Sequence, residues 1–247
     1  AHYIARESNL NKMWAELYGK SRGTARGKGG SMHLNDISRN FMPTSAIVTS
    51  AIPEAVGYAF ALKYKKKNGV VICYHGEGAT DEGVFWESLN FASLHDLPII
   101  FICENNRYAI YSHQNTRSIN DPIVSRANSF GIDAERISGN SSEEFFKATI
   151  RCKEKIKNNS KPCLLECMTS RWRDHVGITE PELSKEEINN IKKAIEHDDL
   201  KNLENELNKD KVLHIKKKVD KEIEHAIKFA EASDFPKISE LLENVYY

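Results

Sequence analysis

Glu77 stands between Gly76 and Gly78, and further along the chain two asparagines, Asn105 and Asn106, follow one another. Glycines beside an acid let the main chain approach a ligand closely. They also leave amide groups free to face an anion, above all where a helix begins. Glu77 itself would repel a bare phosphate. A divalent cation between them removes the conflict, because Mg2+ is commonly held by one or two protein oxygens together with diphosphate oxygens and water. An amide oxygen suits the remaining protein position, which makes Asn105 or Asn106 a candidate ligand.

The surrounding elements must bring these groups to one place. Residues 70–74 form a short β-branched run that ends at glycine, and residues 98–103 repeat the design. Between them "DEGVFWESLNFASLHD" sets Phe85, Leu89, Ala92 and Trp86 on one side at helical spacing, with Thr80 or Asp81 to cap its start. Strand, crossover helix and strand predict a parallel sheet with a right-handed connection. "IPEAVGYAFALKYKKK" reads as an amphipathic helix before the first strand, "SEEFFKATIRCKEKIKN" as another, and "KPCLLECMTSR" as a third strand. An α/β domain over residues 40–175 follows. In such a sheet the ligand crevice lies beyond the carboxyl ends of the strands, where both the Glu77 turn and the asparagine pair fall.

After Pro181 the composition turns to charged helix, with apolar stripes at Ile188, Ile191 and Ile195 and then at Ile215, Val219 and Ile223. This predicts a helical segment over 181–247, its charges a solvated face or a docking surface for a partner subunit. The preceding 1–180 form the α/β domain.

Composition limits the functions open to the chain. Its 247 residues can bury a sizeable core. Thirty-five basic residues balance thirty-five acidic ones, which removes the general field that would draw it to nucleic acid or anionic membrane. No run approaches the roughly eighteen apolar residues of a membrane span, and "AHYIARESNL" lacks a signal peptide's layout. A soluble chain is expected, in the cytoplasm or, in a eukaryote, an organelle matrix. Five cysteines without CxxC spacing read as buried free thiols in a reducing compartment. The start at Ala1, with helix-like sequence close behind, reads as cut or processed.

The stretch from Gly76 to Ile110 resembles the thiamine diphosphate motif of the alpha subunit of 2-oxo acid dehydrogenases, the pyruvate, branched-chain and acetoin enzymes. The matching residues are Gly76, Gly78, Glu82, Gly83, Glu87, Asn90, Ala92, Leu97, Pro98, Phe101 and the run "ENNRYAI". "AELYGKSRGTARGKGGSMHL" is similar to the family's glycine loop, and "FMPTSAIVTSAIPEAVGYAFALKYK" to its pyrimidine-contacting segment. "SRWRDHVG" matches its Arg-x-x-x-His element.

The resemblance implies a parallel-sheet thiamine diphosphate-binding fold with helices on both faces. It assigns the metal to Glu77, the side chain of Asn106 and the carbonyl of Tyr108, leaving Asn105 structural. Gly76, Gly78 and Ala79 would line the diphosphate, while Ala46 and Val48 would present backbone to the aminopyrimidine. His175 would lie beside the thiazolium as the catalytic residue, ordering the substrate carboxylate or relaying a proton; His33 stays outside the catalytic set.

The implied cofactors are thiamine diphosphate and Mg2+. The implied partners are a beta subunit that supplies the activating glutamate, two alpha with two beta, and a lipoyl acyltransferase that receives the acyl group from pyruvate or another small 2-oxo acid. A carboligase or transketolase-like subunit, or a non-catalytic homologue, is the alternative. The chain departs from the family at Glu77, where most relatives outside the branched-chain enzymes have aspartate. A Tyr-Arg pair of the family falls before Ala1. The loop after His175 has Lys185 in place of an arginine and Val176 in place of a phosphorylatable serine.

Overall fold

The computed structural model describes the chain except residues 120–122, 140, 160, 178–184, 197 and 244–247, and except the side chains of 159, 185–187, 190 and 194. The Lys185 side chain and the loop around Pro181 therefore lie outside the described structure. In chain order the elements are helices α1 (His2–Ala5), α2 (Leu10–Leu17) and α3 (Ala51–Tyr64), strand β1 (Val71–Gly76), helix α4 (Gly83–Leu94), strand β2 (Ile99–Asn105) and a two-strand hairpin of β3 (Tyr108–Ala109) and β4 (Ser112–His113). Then come α5 (Ile123–Ser129), β5 (Asp133–Ser138), α6 (Ser142–Asn159), β6 (Cys163–Met168), α7 (Lys185–Glu196), α8 (Asp199–Glu206) and α9 (Lys209–Glu231).

Two compact units arise, one of Val48–Asn205 and one combining Ala1–Ile47 with Glu206–Tyr247. This division differs from a single break at residue 180. Helix α9 packs along α2, which ties the end of the chain to its beginning, whereas α7 falls in the unit of the sheet.

In the larger unit four parallel strands stand in the order β1, β2, β6, β5. The three strands expected from apolar runs are present. β5 carries no such run: "DAERIS" is a polar edge strand, held by main-chain pairing to β6, with Ala134 packed on one core and Ile137 buried in the other.

Alternation along β2 explains the two cores. Ile99, Phe101 and Cys103 face α3, α4 and α5, joining Ile52, Val56, Phe85 and Leu89. Ile100 and Ile102 face α6, joining Ala148, Cys152 and Ile156. Helices thus cover both faces, as expected. All five cysteines are free and buried, and burial pushes the thiol pKa of Cys73 and that of Cys167 up to about 12. Among the described residues no helix is long and apolar enough to cross a membrane.

Helix α4 starts differently from the sequence expectation. Its N-cap is Glu82, without a side-chain cap, because Thr80 and Asp81 belong to a short 3-10 turn, Glu77–Asp81. The Thr80 hydroxyl donates to the Glu77 carbonyl at 2.7 Å, and the Trp86 indole donates to the Thr80 carbonyl at 2.8 Å.

In the smaller unit the carboxylate of Glu16, fully buried, organises the glycine loop. Oε2 accepts from the amides of Ala25 and Gly27, and Oε1 from those of Gly29 and Gly30, at 2.7–3.2 Å. The main chain at Gly27 is left-handed, with φ of +76°, and a Cβ there would lie 2.5 Å from Gly19. His33 sits at the end of this loop, its Nδ1 3.1 Å from the Thr44 carbonyl.

Candidate active site

Pairing of β1 with β2 sets Gly76 opposite Glu104, and pairing of β2 with β6 sets Asn105 opposite Met168. The three segments that carry candidate residues therefore leave the same edge of the sheet side by side. β1 continues into the Glu77–Asp81 turn, β2 into Asn106–Tyr108, and β6 into the segment of Arg171 and His175.

Glu77 is only 2% exposed, and its partner is Arg117, which also pairs with Asp81. Gly76 faces open space: a side chain there would meet nothing within 4 Å. Gly78 is the opposite case, because a Cβ would lie 2.8 Å from that of Ala109. The β3–β4 hairpin thus lies directly on the turn, with Tyr108 next to the Ala109 that touches Gly78. Ala79 is buried in the same turn.

The two asparagines have different roles. Asn105 is buried; its Nδ2 donates to Glu166 Oε1 at 2.7 Å and to Gln114 Oε1 at 3.3 Å, while its Oδ1 accepts from the Arg107 amide at 2.8 Å. Glu166, fully buried, is held from its other side by Arg136 Nε and Nη2, both at 2.9 Å. These bonds fix a turn in which Arg107 takes φ of +67°, a conformation that non-glycine residues adopt at a cost. Asn106 is only half-buried, and its Oδ1 accepts from the Tyr108 amide at 2.8 Å.

His175 is exposed. Arg171 links it to the hairpin: Nη2 donates to the Ile110 carbonyl at 2.5 Å, and Nη1 lies 3.4 Å from His175 Nδ1. A guanidinium has only donors, so this contact is a hydrogen bond only when Nδ1 of His175 is the accepting nitrogen. Ala46 lies in the smaller unit and Val48 opens the larger; both are exposed.

Glu77 and Asn106 carry side-chain oxygens, and Tyr108 a main-chain one, of the hard kind that suits Mg2+. Gly76 has open space where a Cβ would stand, which leaves its main chain approachable. Among the described residues no three His, Cys, Asp or Glu side chains group as a metal site.

Sequence reasoning missed Arg117, which lies in no motif. It also missed the Asn105–Glu166–Arg136 network, although a lone acid inside the apolar strand "CLLECM" was a legible sign of a buried partner. His75 was missed too. It is buried against Phe85 with ring centroids 4.9 Å apart, its Nε2 has no hydrogen-bond partner among the described residues, and desolvation lowers its pKa from 6.5 to about 4.

The parallel sheet, with the glycine turn, the asparagine pair and the Arg171–His175 segment leaving one edge, defines an α/β chain of the kind that binds ligands beyond its strand ends. The sequence pattern of the dehydrogenase E1 component matches residues 1–239, and the chain belongs to that family. It is 34% identical over 250 residues to the alpha subunit of acetoin:2,6-dichlorophenolindophenol oxidoreductase of Bacillus subtilis, covering 99% of this chain and 74% of that one. It is 32% identical over 251 residues to the pyruvate dehydrogenase E1 component subunit alpha of Rickettsia bellii, covering 100% and 77%. Among solved structures, transketolase of Campylobacter jejuni overlaps 54% of this chain and 22% of its own, with 26% identity and a TM-score of 0.46.

Proposed function

We propose that the chain is the alpha subunit of a thiamine diphosphate-dependent 2-oxo acid dehydrogenase that decarboxylates pyruvate or a related small 2-oxo acid and passes the acyl group to a lipoyl carrier. The observation that supports this is the packing of the β3–β4 hairpin on the Glu77 turn, where a Cβ on Gly78 would lie 2.8 Å from that of Ala109, the neighbour of Tyr108.

The chemistry supplied by thiamine diphosphate when bound is nucleophilic addition to the 2-oxo group and an electron sink as CO2 leaves. Glu77, Asn106 Oδ1 and the Tyr108 carbonyl hold Mg2+, while Gly76, Gly78 and Ala79 line the diphosphate. Ala46 and Val48 give backbone contacts to the aminopyrimidine. His175 orders the substrate carboxylate through Nε2–H or moves a proton there. Arg171 sets the ring's tautomer and so acts as a positioning residue. The glutamate that activates the aminopyrimidine comes from the beta subunit, in an assembly of two alpha and two beta chains that works in the cytoplasm or an organelle matrix.

Dye reduction by the chain co-expressed with its beta subunit, given thiamine diphosphate, Mg2+ and a panel of 2-oxo acids, tests this. Turnover of one acid is expected. Silence across the panel from a folded assembly overturns the reading.

A further inference from the structure

Arg117 supplies charge at the one point where the site already has a use for a cation. Its side chain is 17% exposed and held in three places: Nη2 donates to Glu77 Oε1, Nη1 to Asp81 Oδ2, and Nε to the Ser112 carbonyl at 3.2 Å. The last bond fastens it to β4, so the hairpin that closes over the Glu77 turn also delivers the guanidinium. Among the described residues it is the one cation paired with Glu77. A carboxylate so buried is costly without a counter-charge, and arginine provides a permanent one in a planar fork that reaches two acids at once.

We propose that Arg117 is a built-in counter-ion that competes with the divalent cation for Glu77. Loading would exchange guanidinium for metal at the Glu77 carboxylate, while Asp81 and the Ser112 carbonyl would retain Arg117. This rests on the reading of Glu77 as the metal ligand.

A consequence for the order of loading follows from charge. After the exchange a divalent cation and a guanidinium share a small volume with Glu77 and Asp81, and like charges at this distance repel strongly where water is scarce. The diphosphate supplies the missing negative charge. The metal therefore enters with the diphosphate rather than ahead of it, and removing Arg117 uncouples the two.

Mn2+ titration by electron paramagnetic resonance tests this on the assembly with the beta subunit, with and without thiamine diphosphate, and without substrate. Wild type is expected to retain Mn2+ only when thiamine diphosphate is present. Arg117→Gln is expected to bind Mn2+ about tenfold tighter or more, and to do so without the diphosphate. Arg117→Lys, which keeps the charge but loses the fork, falls between them. Equal or weaker Mn2+ binding by Arg117→Gln overturns the proposal. Should that variant fail to assemble, Arg117→Lys decides alone: affinity above wild type supports the exchange, and affinity at or below it overturns it. Glu77→Gln separates the two ideas. If Mn2+ binding survives that change, the metal-ligand assignment has failed, whatever Arg117 does.

Discussion

Glu77 concentrates the chemistry of the site in a single charge, since the other donors assigned to the metal are an amide oxygen and a main-chain carbonyl. Replacing it with glutamine keeps the shape and removes that charge. Turnover at saturating thiamine diphosphate and Mg2+ is expected to fall about 100-fold or more while the circular dichroism spectrum is unchanged. Its neighbour His75 governs stability instead. Its folded pKa of about 4 lies below the ordinary 6.5, so the unfolded chain takes up a proton on acidification before the folded chain does. Stability is therefore full above about pH 6.5 and is lost as pH falls from there towards 4, by up to about 3 kcal/mol. His75→Phe fills the same space against Phe85 without the orphaned Nε2. Denaturant melts at pH 7 and pH 5 are expected to show a more stable variant, with much of the acid-side loss gone. A loss undiminished in the variant would assign that slope to other groups.

At the scale of elements, the β3–β4 hairpin is held from below by Gly78 and from behind by the Asn105 network. Gly78→Ala inserts a methyl 2.8 Å from the Cβ of Ala109, a distance that forces the hairpin to lift. A stability loss of about 1–3 kcal/mol is expected, with weaker thiamine diphosphate binding by calorimetry. Glu166→Gln leaves Arg136 facing an uncharged amide and removes one oxygen that serves Asn105 or Arg136. Melting is expected to register a loss of about 2–4 kcal/mol. Because the network fixes Arg107 and through it Asn106, KM for the cofactor should rise by more than kcat falls. The strands and helices of this region were legible from periodicity alone, since β2 alternates between two apolar faces and α4 repeats every three to four residues. The hairpin was not, because each of its strands has two residues and is stabilised by contacts to Gly78, Arg107 and Arg171 rather than by any pattern of its own.

For the whole molecule, the proposed division of labour with a beta subunit predicts that the purified chain turns over no 2-oxo acid by itself and gains activity when the partner is added. Activity of the chain alone would place the activating acid within it. The balance of thirty-five basic and thirty-five acidic residues further predicts no salt-sensitive binding to nucleic acid, checked by gel shift at low ionic strength. Joining of the first and last segments through α2 and α9 was not readable from composition, which shows only that residues after 181 are helical and charged. Burial along α9 falls at Ala226 and Ala230, small residues that let helices approach closely, rather than on the larger stripe at Ile215 and Val219.

Local patterns alone determined the parallel α/β class, the buried thiols, and the placement of Glu77 and the asparagines at strand ends. Strand and helix periodicity, and the rule that parallel strands deliver their ends to one edge, are properties of short stretches. Tertiary structure decided what those stretches could not encode singly. Arg117 reaches Glu77 from forty positions away, and Glu166 reaches Asn105 across the sheet. Glu16 gathers four amides of a loop that reads as featureless glycine. In each case a buried charge needs a partner, and which partner it finds depends on how the chain folds back upon itself.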